Sequence, residues 1–378
     1  MRALAISAGM AAPTIDNDDL LVSSNITHET NLWGDDDDDL LLFHAVADGV
    51  GEEPTGQGEC GRFPGKDADT QLVPLEKFRH GYLWVSDFGQ QMWCEQKVFY
   101  TFTLPTVVEE DVKMMKGTGL HLARELAAHE TVPVNITSSE DIWAVKILNL
   151  LATIQNFLNG GLLAREIPVF GAPFSEDVFM VGIIDELRFD PESYTIDLSE
   201  LKTRTTKSNP SKCQQKQHEV QAMLYKKLFD DLVKGVTSKE LVARHLKLDL
   251  GRPLGESIRQ HVDKHGLSAV SLDGLMDHIF GMIQGLTCIS QLFVEYVFQD
   301  THETLSHNEI QYCESDLEGQ FKHYLQFWRS QRLAEGVEIE EAWKCQKCEF
   351  ASVCDWRKRK GEEYAMKNME KNRLGPQF

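Results

Sequence analysis

The chain has 378 residues, 42% hydrophobic and 26% charged, with a formal net charge of −21 at pH 7. This length allows one large domain or two ordinary ones around a substantial core, and the composition excludes fibrous and low-complexity classes. No apolar run approaches the roughly 18–20 residues that span a bilayer, and Met1-Arg2-Ala3-Leu4-Ala5-Ile6-Ser7 is too weakly basic and too briefly apolar for a signal peptide, so the expectation is an intracellular protein without a membrane.

Residues 1–70 hold fifteen Asp/Glu against three Lys/Arg, including the aspartate run 35–39. Such a stretch buries too little apolar surface to offset its ordering entropy and reads as an acidic disordered tail. The remaining 308 residues carry a net charge of only −9. Order is expected from about Leu75, in a domain running over 71–378. An aromatic-rich stretch at 82–103 comes first, and Gly117-Thr118-Gly119 opens a helix to about 129. A second helix follows over 140–158, then strand-like segments near 162–170, 178–189 and 193–202. A helix over 211–233 comes next, and most of 238–336 reads as helical. Strands among helices indicate an α/β protein, with a core at about 110–235, a helical region at about 238–336 and a cysteine-bearing segment at about 340–360.

Local potential attracts a polyanion more than total charge does. Within 202–227, Lys202, Arg204, Lys207, Lys212, Lys216, Lys226 and Lys227 face one acid, Glu219. A solvated helix face is the competing explanation on spacing alone.

The segments 178–189 and 194–203 flank Asp190-Pro191-Glu192-Ser193, a strong turn signal. A two- or four-residue loop centred there pairs residues whose numbers sum to 383, placing Asp185 opposite Leu198 and Ile183 opposite Glu200. Side chains alternate along each strand and cross-strand partners share a face. Asp185, Glu200 and Lys202 then lie on one face, with the two acids as diagonal neighbours able to share a hard cation. A three-residue loop would separate them, and a solvated sheet edge is the alternative setting for such a cluster.

Gly182-Ile183-Ile184-Asp185 followed by Glu200-Leu201-Lys202-Thr203 resembles the PD-(D/E)xK nuclease signature in its RecB-like form. Upstream, Gly117-Thr118-Gly119-Leu120-His121 is similar to the G-x-x-x-H helix entry of those nucleases. Downstream, Gln221 and Tyr225 resemble their Q-x-x-x-Y motif, all in the same order. Cys345-x2-Cys348-x5-Cys354 with a distant Cys94 is similar to the split iron–sulfur ligand set of some RecB-like nucleases. From Leu75-Glu76-Lys77-Phe78-Arg79 onward the chain most resembles exonuclease V. A zinc ribbon also uses C-x2-C, but normally shows two such pairs.

The resemblance implies a RecB-like PD-(D/E)xK core, a central mixed sheet flanked by helices, with a C-terminal Fe–S segment. It implies a single-stranded DNA exonuclease in repair, with Mg²⁺ (Mn²⁺ as a possible substitute) at His121, Asp185 and Glu200. Lys202 would act on the attacking water, supported by Gln221 and Tyr225, and Cys94, Cys345, Cys348 and Cys354 would hold a [4Fe–4S] cluster. Arg204, Thr205, Lys207 and Lys212 follow the catalytic strand, where phosphates could run along them. A monomer acting beside a single-strand-binding protein, in the nucleus and cytosol or in mitochondria, completes the expectation. An RNA-directed nuclease and a non-catalytic Fe–S protein that binds single strands are the alternatives.

Overall fold

The computed structural model describes residues 3–8, 72–104 and 130–373. Its centre is a six-stranded mixed sheet with helices packed against it. Helix α1 (Pro74–Arg79) leads into the short strand β2 (Tyr82–Trp84) and the long helix α2 (Val85–Thr103). Strand β1 (Ala3–Ala8) pairs antiparallel with β3 (Glu130–Asn135) in a separate two-stranded ribbon. The ribbon corrects the reading of all of 1–70 as tail: the segment Ala3–Ala8 is uncharged and apolar, and the acids begin only at Asp16.

Helix α3 (Ser139–Leu158) starts where Ser138 accepts the Asp141 amide at 3.1 Å, a side-chain cap of a type that typically contributes about 1 kcal/mol. It precedes β4 (Leu163–Gly171), β5 (Phe179–Asp190) and β6 (Thr195–Arg204), close to the expected strands. Helix α4 (Lys212–Val233) begins in a capping box, with Ser211 and Gln214 satisfying each other's backbone amides. Three shorter helices follow: α5 (Lys239–Leu246), α6 (Glu256–Lys264) and α7 (Leu272–Ile283).

The region 238–336 is not mostly helical. It contains β7 (Ile289–Phe298) and β8 (Glu303–Ile310) before α8 (Glu314–Trp328). Strand β7 pairs parallel with β6, and β8 pairs antiparallel with β7. Its sequence ISQLFVEYVF is rich in β-branched and aromatic residues, which suits a half-buried pleated surface. A parallel partner also requires a long crossover, here supplied by α4 through α7. The core expected at about 110–235 therefore extends well past residue 235, the sheet reaching from Tyr82 to Ile310.

One continuous apolar core joins α2, α3 and α4 to the sheet. A second, smaller one surrounds the C-terminal cysteines, built on Tyr100, Val337, Phe350, Cys354 and Trp356. No helix among the described residues is long and apolar enough to cross a membrane.

Candidate active site and cysteine centre

The turn between β5 and β6 decides where the acids meet. Asp190 accepts hydrogen bonds from the Glu192 amide at 2.9 Å and the Ser193 hydroxyl at 2.5 Å, and Tyr194 adopts a left-handed φ of 55°. Tyr194 thereby joins the loop, and the ladder pairs Asp190 with Thr195, Phe189 with Ile196 and Leu187 with Leu198. Paired numbers sum to 385 rather than the expected 383. A shift of two keeps every side chain on its face, so the grouping of Asp185 with Glu200 and Lys202 survives. The expected diagonal relation does not: continued by one pair, this register sets Asp185 directly opposite Glu200.

The β5–β6 ladder stops one pair short of those acids, at Glu186 and Ser199. Strand β4 lines one edge of β5 from 180 to 188, while the opposite edge is shared, β2 taking 179–181 and β6 taking 186–190. Between these partners, Gly182-Ile183-Ile184-Asp185 has no ladder on that edge. Beyond Ser199 the ladder to β5 does not continue, while β6 remains paired on its other edge, where β7 runs alongside from Ile196 to Arg204. The two strands thus open into a wedge with the acids at its apex. There Asp185 Oδ2 accepts the Leu201 amide at 2.7 Å, which sets the orientation of the carboxylate.

Asp185, Glu200 and Lys202 are all buried, Glu200 completely. Lys202 Nζ stands 3.4 Å from Glu200 Oε1, as residues two apart on one strand should. Carboxylate oxygens held out of water favour a cationic or hydrogen-bonding partner.

Helix α4 presents Gln221 and Tyr225, with Gln221 Nε2 donating to Tyr225 Oη at 3.0 Å. The Tyr225 ring lies so close to β5 that a Cβ on Gly182 would sit 2.4 Å from its Cε1. The glycine of the Gly-Ile-Ile-Asp motif is what allows helix and strand to approach. One turn earlier on α4, His218 is buried and its Nδ1 is 2.9 Å from Tyr296 Oη. Burial pushes the His218 pKa well below the usual histidine range, and nearby Lys202 and Arg204 push it the same way. His218 escaped the sequence reading, although 218, 221 and 225 share one helical face at the spacing i, i+3, i+7. His121 and its Gly-Thr-Gly entry lie outside the described residues.

Of the basic residues expected to meet a strand, Thr205, Lys207 and Lys212 are exposed and Arg204 is half-buried. Lys207 forms an exposed 2.8 Å ion pair with Glu303 on β8, an interaction weak enough for a phosphate to displace. Lys226 and Lys227 are instead committed to Asp230 and Asp231, both at 2.8 Å.

The cysteines gather around the middle of α2. Cys94 breaks the helix, with φ −168° and ψ 105° inside it. The break is held from outside: Gln96 N donates to Glu335 O at 2.9 Å, Glu335 N donates to Glu95 Oε2 at 2.7 Å, and Arg332 Nη2 donates to Glu95 Oε1 at 2.8 Å. Cys94, Cys345, Cys348 and Cys354 line one cavity with Tyr100, Val337, Phe350 and Trp356. Burial, followed by weaker effects that include the neighbouring thiols, raises the Cys94 pKa to about 11, and burial likewise raises those of Cys345 and Cys348. Among the described residues, no three His, Cys, Asp or Glu side chains are close enough to hold one metal ion. The four thiols line that one cavity together. Cys213, Cys288 and Cys313 are not part of this cavity lining, and Cys60 lies outside the described residues.

The family model described as "Exonuclease V - a 5' deoxyribonuclease" matches residues 73–194, 189–277 and 269–357. A zebrafish (Danio rerio) protein named exonuclease V is 37% identical over 295 residues, covering 77% of this chain and 74% of its own. A solved chain described as SSO0001 aligns over 74% of this chain and 88% of its own, at 11% identity and a TM-score of 0.32. The family match spans every segment that carries the wedge and the cysteine cavity, and on that match and the zebrafish relative this chain belongs to the exonuclease V family.

Proposed function

We propose that this chain is a metal-dependent exonuclease that hydrolyses phosphodiester bonds of single-stranded DNA in genome maintenance, on a RecB-like PD-(D/E)xK core. The observation that carries the reading is the burial of Asp185 and Glu200 together at the apex of the β5–β6 wedge, with Lys202 beside them. Asp185 and Glu200 fit a hard divalent cation, since both are buried oxygen donors on neighbouring strands, with Lys202 beside Glu200. His121 is the proposed third ligand. When bound, Mg²⁺ (or Mn²⁺) would polarise the scissile phosphate and acidify a water.

The protein's own residues do the rest. The Leu201 amide holds the Asp185 carboxylate in place, so this ligand is oriented before substrate arrives. Lys202 sets an ammonium beside Glu200, where it can stabilise phosphoryl oxygens and orient the attacking water. His218, kept neutral by burial and by Lys202 and Arg204, pairs with Tyr296 without adding charge. Gln221 and Tyr225 brace α4 against the motif strand. Arg204, Thr205, Lys207 and Lys212 lead the strand's phosphates away from the wedge, and the family description favours attack from a 5′ end.

Cys94, Cys345, Cys348 and Cys354 fit a [4Fe–4S] cluster. Four thiolates are the donor set of such a cluster, and one cysteine on α2 with three after the sheet lacks the second C-x2-C pair of a zinc ribbon. The cluster would supply a staple between α2 and the C-terminal segment. A monomer sharing its substrate with a single-strand-binding protein is the expected setting.

End-labelled single-stranded DNA, duplex DNA and RNA, each with and without Mg²⁺, test the proposal. Cleavage should require Mg²⁺ and favour single-stranded DNA. Asp185→Ala should abolish it while strand binding persists. Mg²⁺-dependent cleavage retained by purified Asp185→Ala would overturn the site assignment.

A further inference from the structure

Two tryptophans stand beside the cysteine cavity without belonging to either core. Trp93 and Trp343 meet edge to face, with centroids 5.6 Å apart and ring planes at 85°. Trp343 is 45% exposed, a large fraction for a side chain whose burial would remove so much apolar surface from water. Lys344 lies over the Trp93 ring at 4.5 Å, and its ammonium reaches the Trp93 carbonyl at 3.3 Å and Glu341 at 2.6 Å. Trp93 is thereby held as a support, and Trp343 is the ring left open to solvent.

The position of this pair relative to the wedge follows from one contact. Glu341 accepts a hydrogen bond from Cys213 Sγ at 2.7 Å, and Cys213 is the second residue of α4. Burial opposes the ionised form of Glu341, but its bonds to Cys213 and Lys344 outweigh this and lower its pKa, with Lys216 adding to the effect. The tryptophan segment is thus tied to the first turn of the helix that carries His218, Gln221 and Tyr225. Five residues of helical rise, about 7.5 Å, separate Cys213 from His218, which itself feels the Lys202 charge. Exposed Lys212 and Lys216 flank Cys213 on α4, and exposed Lys347 follows Trp343 on its own segment. The positive end of the α4 dipole lies here too.

An exposed aromatic ring bordered by lysines and a helix N-terminus offers a single strand what it can use without sequence preference: a π-face for one base and positive charge for its phosphates. We propose that Trp343, supported by Trp93 and Lys344, is a stacking platform for one base of the single strand, a few nucleotides from the Asp185–Glu200 wedge. Exposed Glu338 and Glu340 precede the ring, while exposed Lys347 follows it and exposed Lys212 and Lys216 stand on α4, so the phosphates run on the side of these lysines. The inference rests on the single-strand reading of the same site, but its test is a binding measurement that needs no cleavage.

Full-length, cluster-loaded Asp185→Ala protein is titrated without divalent metal against a fluorescent single-stranded oligonucleotide. Adding Trp343→Ala should weaken binding about tenfold, with Trp343→Phe restoring most of the loss and the visible absorbance unchanged. A 2-aminopurine walked along the strand should report one position whose quenching depends on Trp343. In the active protein, Trp343→Ala should raise KM and leave kcat near wild type. Equal affinity for Trp343→Ala, Trp343→Phe and the parent, with no position sensitive to Trp343, overturns the platform. Trp343-dependent binding by a wild type that never cleaves would retain the platform and reject the nuclease reading instead.

Discussion

A methyl group at Gly182 is the smallest change that reaches the wedge from behind. The added Cβ would lie 2.4 Å from Tyr225 Cε1 and 2.9 Å from Val85 Cγ2, both well inside van der Waals contact. Both neighbours belong to the main core and have little room to retreat. Alanine would gain about 0.5–1 kcal/mol over glycine from the reduced freedom of the unfolded chain. Displacing a packed ring from contacts this short costs about 2–3 kcal/mol, the upper part of the overpacking range, leaving a net destabilisation of about 1–2.5 kcal/mol. For a domain of this size that lowers Tm by roughly 2–10 °C. Because Tyr225 Oη accepts the Gln221 amide, moving the ring should also lower kcat more than it weakens strand binding. Gly89→Ala is the matched control: its Cβ would meet nothing within 4 Å, and it sits inside α2, so Tm should hold or rise by a few degrees. Thermal unfolding by circular dichroism and single-turnover cleavage read both effects. Wild-type melting and wild-type cleavage by Gly182→Ala would show that the ring contact does not order α4 against β5.

Lys146 is buried beside Trp84 and Trp143, and burial lowers its pKa to about 7. The unfolded chain therefore holds one more proton than the native one between about pH 7 and pH 10.5, and the Lys146 contribution to stability rises with pH across that window. Lys146→Met should stabilise the protein most near pH 6–7, with the gain shrinking by roughly 1 kcal/mol per pH unit as pH rises; a pH-independent difference in Tm would refute this. Glu95→Ala strands the partly buried Arg332 and releases the Glu335 amide. It should cost roughly 3–5 kcal/mol and reduce retention of visible absorbance, both measurable on purified protein. Cys348→Ala should abolish the brown colour of anaerobically purified protein and lower Tm, whereas a colourless wild type with stoichiometric zinc would reject the cluster.

The hairpin was legible because its signals are local. Alternation along each strand, the Asp-Pro-Glu-Ser turn and the parity of pairing put Asp185, Glu200 and Lys202 on one face without reference to the rest of the chain. The two-residue error in register arose at Tyr194, whose left-handed backbone no composition rule assigns to a tyrosine. The misreading of 238–336 had a different origin. The apolar run ISQLFVEYVF suits a short helix or a strand, and its choice depends on β6 offering an unpaired edge nearly a hundred residues earlier. His218 lay on a readable helical face, but its depressed pKa depends on burial and on Lys202 and Arg204 arriving from another strand.

By itself, then, the sequence determined which residue types alternate, where helices cap, and which acids, lysine and thiols carry reactive groups, since these follow from side-chain chemistry and from spacings shorter than a hairpin. Only the tertiary structure decided that β5 and β6 part at the acids, that Cys94 breaks α2 to meet three cysteines some 250 residues away, and that Trp343 reaches the start of α4. Those outcomes depend on which distant segment fills each edge and face, a competition among long-range contacts that no local pattern encodes.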